Sequence, residues 1–91
     1  GDGVHDEFVI QGLHNLYPDF QLTIYNRWGN IVSDYTHNGN PLTEPRWWDG
    51  FSDGRMTINN KKELPVGTYF YTIYFNKDGH KPRSGYVYLN R

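Results

Sequence analysis

Ninety-one residues without a cysteine fit one domain of modest size, exclude a disulfide framework and leave the redox compartment open. Nine basic against ten acidic residues give a net charge of −1, with no block of like charge, so the basic stripe that nucleic acid or an anionic membrane surface requires is missing. No apolar run reaches transmembrane length and no signal-peptide pattern opens the chain; Gly1-Asp2-Gly3 reads as a loop cut from a longer protein.

Alanine is absent and good helix formers are sparse outside Lys61-Lys62-Glu63-Leu64, so the composition predicts an all-β fold. In chain order, Phe8-Val9-Ile10 reads as a first short strand. Gln21 to Asn26 alternates, with Leu22 and Ile24 on one face and Thr23 and Tyr25 on the other. Arg27-Trp28-Gly29-Asn30 supplies turn residues, and Ile31 to Tyr35 returns as the partner strand. Thr36 to Pro45 is a polar loop, and Arg46 to Gly50 a short edge strand ending in an Asp-Gly turn. Met56-Thr57-Ile58 reads as a brief strand and Asn59 to Glu63 as a turn.

The strongest β signal comes last. Thr68 to Phe75 is filled with side chains that suit a pleated, half-buried surface. Tyr69, Tyr71, Ile73 and Phe75 fall on one face, and Phe70, Thr72 and Tyr74 on the other, which predicts a central strand. Asp78-Gly79 suits a tight hairpin turn, and Pro82 to Asn90 forms the closing strand, so the end of the chain is held in a sheet. About six to seven short, mostly antiparallel strands point to an immunoglobulin-like β-sandwich.

Five segments occur together in order: Asp2-Gly3-Val4-His5-Asp6, Leu22-Thr23-Ile24-Tyr25-Asn26-Arg27-Trp28-Gly29, Trp48-Asp49-Gly50, Leu64-Pro65-Val66-Gly67-Thr68-Tyr69-Phe70-Tyr71 and Gly85-Tyr86-Val87-Tyr88-Leu89-Asn90-Arg91. With them the chain resembles, over nearly all its length, the gliding motility-associated C-terminal domain, the type B sorting domain of the type IX secretion system. The resemblance implies a C-terminal module of a large exported protein from the Bacteroidota. Such a module directs its cargo through the outer membrane by way of the type IX translocon. A dedicated PorP-type outer-membrane protein is the implied partner, and the cargo is left at the cell surface or in the medium. The chain departs from the usual family pattern at His5, where Asn is common, and lacks the Pro-Asn that usually precedes Gly-Asp-Gly.

Several residues carry a functional reading beside a structural one. Asp2 and Asp6, with Gly3 between them, could hold Ca²⁺ through two carboxylates and free carbonyls, or form an Asx-type turn. Trp28 and Trp47 could offer a pyranose platform, with Trp48 buried, Trp47 partly exposed and Trp28 exposed at a hairpin tip. Exposed aromatics serve a protein interface equally well. His5, His14, His37 and His80 share no ligand spacing and read as scattered surface histidines. Ser33, Ser52 and Ser84 have no recognisable base nearby, and the chain carries no nucleophile elbow or phosphate loop, so no enzyme is expected.

The motif residues divide in two. Trp48, Asp49, Gly50, Pro65, Gly67, Thr68, Tyr69 and Tyr71 are expected to build the fold, with Gly85 also meeting a backbone need. Asn26, Arg27, Trp28 and Gly29, and the stretch Gly85 to Arg91 with Gly85, Tyr86, Asn90 and Arg91 foremost, are the candidates for partner contact. Docking could run through the exposed hairpin tip or by strand addition at the edge nearest the C-terminus. The module is expected to be monomeric in isolation, without membrane insertion. A carbohydrate-binding or adhesive sandwich is the alternative, and a passive spacer domain a third.

Overall fold

Alternation of apolar and polar side chains places four strands, β1 (Gln21–Tyr25), β2 (Ile31–Thr36), β3 (Gly67–Tyr74) and β4 (Arg83–Leu89). In this computed structural model, which describes residues 8–48 and 64–89, they form one antiparallel sheet in the order β2-β1-β3-β4. The expected central position of the 68–75 strand is met, since β3 lies between β1 and β4.

The register sorts the side chains into two faces. Leu22 lies opposite Tyr35 and Ile73, and Ile24 opposite Ser33 and Tyr71, all in inner rows. Outer rows carry Thr23 opposite Asp34 and Thr72, and Tyr25 opposite Phe70, which in turn faces Tyr86. A one-residue slip would exchange the two sets, so burial of the inner face fixes the register. Strict alternation fails once. The β1–β2 register shifts beside Tyr25, which pairs with Ile31 while Ile24 pairs with Ser33. Val32 is the extra residue of this bulge, and it is buried together with its neighbour Ser33.

Among the described residues, the layer facing the inner side is built from the connecting segments. Leu13, Phe20, Trp47 and Trp48 pack with Leu22, Ile24, Val32, Tyr69, Ile73 and Leu89 into one buried cluster. Phe20, fully buried, stacks between the rings of His37 and Trp47 at 5.5 and 6.0 Å. The His37 N–H donates to the Phe20 carbonyl at 2.9 Å, which binds the loop after β2 to the segment before β1.

Several expectations need correction. The strands predicted at Phe8–Ile10 and Arg46–Gly50 shrink to one isolated antiparallel bridge, Phe8 with Trp48. Asp49, Gly50 and the strand expected at Met56–Ile58 lie outside the described residues, and only one sheet of the expected sandwich is formed by those described. The all-β reading holds, with a four-residue helix, α1 (Leu13–Leu16), between Ile10 and β1, where no element was expected. The β3–β4 connection is no two-residue turn: it runs from Phe75 to Pro82, with positive φ at Asn76 (55°) and Gly79 (79°). Asn76 Nδ2 donates to the Asp19 carbonyl at 2.8 Å, and Phe75 and His80 pack on the Tyr17 ring, so this longer loop folds over the neighbouring segment.

Two side-chain expectations also fail. Trp47 is 4% exposed, not partly exposed. Because Arg46–Trp48 is not a regular strand, the rule that neighbours point to opposite faces does not operate, and both tryptophans turn inward. His37 is equally buried rather than a surface residue; its ring nitrogens meet the Tyr35 hydroxyl and the Asn40 carbonyl, each at 2.8 Å. Burial without such partners would cost free energy.

Candidate functional site

Of the residues expected to build the fold, Trp48, Tyr69 and Tyr71 meet on the inner face, whereas Thr68 points outward. Tyr69, four residues beyond Pro65, donates its hydroxyl to the Pro65 carbonyl at 2.7 Å. That bond closes the Pro-Val-Gly-Thr-Tyr segment on itself and resembles the tyrosine corner of β-sandwiches. The Trp48 ring meets Tyr69 edge-on at 5.2 Å. Tyr71 packs against Phe8 at 5.0 Å, and its ring lies over Gly85, so a Cβ at position 85 would collide with the Tyr71 hydroxyl and ring carbons. The space above Gly85 thus belongs to packing.

The β1–β2 turn is rigidly closed. Asn26 Oδ1 accepts from the N–H groups of Trp28 and Asn30, both at 3.0 Å. The backbone adds Asn26 N–H to the Asn30 carbonyl and Gly29 N–H to the Asn26 carbonyl. Gly29 has φ 85°, a left-handed conformation that glycine adopts without steric cost. The turn holds Trp28 with 72% of its surface exposed and the Arg27 guanidinium 4.7 Å from its ring centroid, within cation–π range.

Beside this turn the first residues of β3 and the last of β4 complete an open groove of about 370 Å³, lined by Asn26, Arg27, Trp28, Val66, Phe70 and Tyr88 among others. Trp28, Val66, Phe70, Tyr86 and Tyr88 are all exposed, an aromatic concentration that marks interaction surfaces. Outward-facing positions of β3 and β4 are Thr68, Phe70, Thr72 and Tyr74, and Ser84, Tyr86 and Tyr88, none of them charged. Of the sequence candidates, Asn26, Arg27, Trp28 and Gly29 meet at the turn and Tyr86 lies opposite Phe70. Gly85 sits on the other face. Asp2, Asp6, Asn90 and Arg91 lie outside the described residues. Val66 and Phe70 were missed as site residues; Tyr88 lies within the expected Gly85 to Arg91 stretch and shares a face with Tyr86 by period-two spacing.

Further polar groups have structural partners. Asp34 accepts from Gln21 Nε2 and Thr23 Oγ1 on the outer face, at 2.8 and 3.1 Å. A hydrogen bond with Tyr25 raises the pKa of Tyr74 above the usual phenol value, with repulsion between the two phenolates adding to it. A second groove, about 260 Å³, lies beside α1 and is lined by Gln11, His14, Asn15, Glu44 and Trp47. There Trp47 Nε1 donates to Glu44 Oε2 at 2.6 Å. Among the described residues no three His, Cys, Asp or Glu side chains gather to hold a metal ion. Ser84 shares a 3.3 Å contact with Thr72 Oγ1, and no described base stands beside it.

No curated protein and no solved structure matches the chain significantly. The sequence model of the CHU_C type IX secretion signal domain matches residues 1–89, thus taking in the closed Pro65–Tyr69 segment, the Asn26–Asn30 turn and all four strands. With that match spanning nearly its whole length, the chain belongs to the CHU_C type IX secretion signal domain family.

Proposed function

We propose that this domain is a non-catalytic sorting module of type B, which carries a large attached protein through the outer membrane by way of the type IX translocon to the cell surface or medium. The family match over residues 1–89 carries the reading: a secretion signal implies an exported carrier. The fold supports it, because β4 is paired with β3 at seven successive positions and the signal is therefore a preformed shape rather than a loose tail. Recognition runs through the outer surface around Trp28, Phe70, Tyr86 and Tyr88, and a PorP-type outer-membrane protein is the partner this reading calls for. The adhesive alternative rested on Trp28 and Trp47 as paired platforms; with Trp47 buried, it loses one of the two.

The test is a fusion of the 91-residue chain to a neutral reporter in a type IX-competent cell. The reporter is expected outside the cell. Retention under conditions where a known sorting domain exports the same reporter would count against the proposal. Trp28→Ala should lower export while leaving the melting temperature within about 2 °C, because an exposed turn-tip ring contributes little to folding.

A further inference from the structure

The sheet has two outer edges among the described residues, and they are defended differently. At β2 the pairing is broken by the Val32 bulge and the strand carries Asp34; bulges and charges are the usual means of preventing an edge from recruiting another strand. At β4 the seven pairs with β3 run without a register shift, and Ser84 to Leu89 contains no charge and no proline. Such an edge offers regularly spaced N–H and C=O groups to an incoming chain. Its outward side chains Tyr86 and Tyr88 are 72% and 61% exposed, so the open edge and the aromatic surface are continuous. Arg83 opens the strand and Lys81 lies just before it in the connection, both exposed.

We propose that the β4 edge accepts an extended strand of a partner protein by β-strand addition, the partner strand being uncharged along its middle and acidic at the end that meets Lys81 and Arg83. The inference rests on the sorting reading and names the mode of docking. A backbone, unlike a glycan, supplies donors and acceptors at the spacing a sheet edge presents. A second copy of this chain fits less well: β4 has no acidic residue, so a parallel pairing would set Arg83 beside its counterpart and an antiparallel one would leave it unmatched.

The experiment compares the two edges in the reporter fusion. Ser84→Lys and Arg83→Glu alter the β4 edge, and Thr36→Lys places the same charge on β2. If the proposal is right, each β4 variant lowers export at least about tenfold with an unchanged melting temperature, and Thr36→Lys exports like the parent. A photo-crosslinking amino acid at position 86 or 88 must then attach to alternate residues of one continuous stretch of one partner. Equal export of all variants overturns the proposal and leaves the sorting reading standing. So do crosslinks that scatter over separate segments, that fall on a second copy of this domain, or that fall on glycan. Failure of the unmodified fusion to be exported removes the sorting reading and this inference together.

Discussion

Tyr69 and Tyr88 stand one step apart on neighbouring strands, β3 and β4, and face opposite sides of the same sheet. Tyr69 is buried, bonded to the Pro65 carbonyl and set against Trp48. Tyr88 is exposed beside Trp28 in the groove. Strand alternation separates the two rings, but it does not say which side becomes core. That is settled by the connections: Leu13, Phe20, Trp47 and Trp48 all arrive on the Tyr69 side. Aromatic content therefore has two places here, filling a small core on one face and standing exposed on the other.

The contrast is tested most severely by truncation on each face. Ile24→Ala, at a fully buried position, should cost about 2–5 kcal/mol through lost burial and an unfilled cavity. Tyr86→Ala should stay within about 0.5 kcal/mol. Urea midpoints at unchanged slope would show this; a loss at Tyr86 equal to that at Ile24 would break the comparison of faces.

Gly85 sharpens it on a single strand. Gly85→Ala puts a methyl group into the Tyr71 ring and should destabilise by about 1–3 kcal/mol, as overpacking does. Because the nearest atom is the Tyr71 hydroxyl, Tyr71→Phe should recover part of that loss. The double-mutant cycle measures the coupling directly, and no recovery would locate the strain elsewhere.

His37→Phe keeps an aromatic ring against Phe20 but removes the partners of the Tyr35 hydroxyl and the Asn40 carbonyl. The expected loss is about 1–2 kcal/mol, read from the shift in urea midpoint. No loss would mean that water replaces the histidine at both groups.

The residues whose environment is set by local pattern were legible in the sequence. Leu22 and Ile24 share one face of β1 and Thr23 and Tyr25 the other as expected, although Thr23 is buried as well, and the faces of β3 follow its period of two. The turn at Asn26–Asn30 was announced by its Asn and Gly residues, and with it half of the candidate site. Trp47 and His37 were misread because their burial depends on long-range contacts: the 37–48 segment crosses back over Phe20, and nothing in its local spacing records that path. Helix α1 is a single turn, too short for a helical period to show, and Gly12 at its start makes no side-chain cap. Phe70 and Tyr88 look like core residues in isolation; they become surface because no described segment packs on their side.

The outer face also carries a titration. The bond with Tyr25 holds the proton of Tyr74 more tightly in the fold than in the unfolded chain. A raised acid pKa gives stability that is complete below the unfolded value of 10.0 and fades as pH rises through the folded one. Denaturation midpoints should therefore fall as pH rises beyond 10.0 more steeply in the parent than in Tyr25→Phe, where the bond is gone. The difference is the smallest expected here, since Tyr74 is only half-buried and water screens the pair. Ultraviolet titration of the phenolates provides an independent reading, with one tyrosine returning to a lower pKa in Tyr25→Phe. Identical alkaline slopes in the two proteins would mean that the Tyr25–Tyr74 bond is not maintained in solution, and that the outer face is held by its strand register alone.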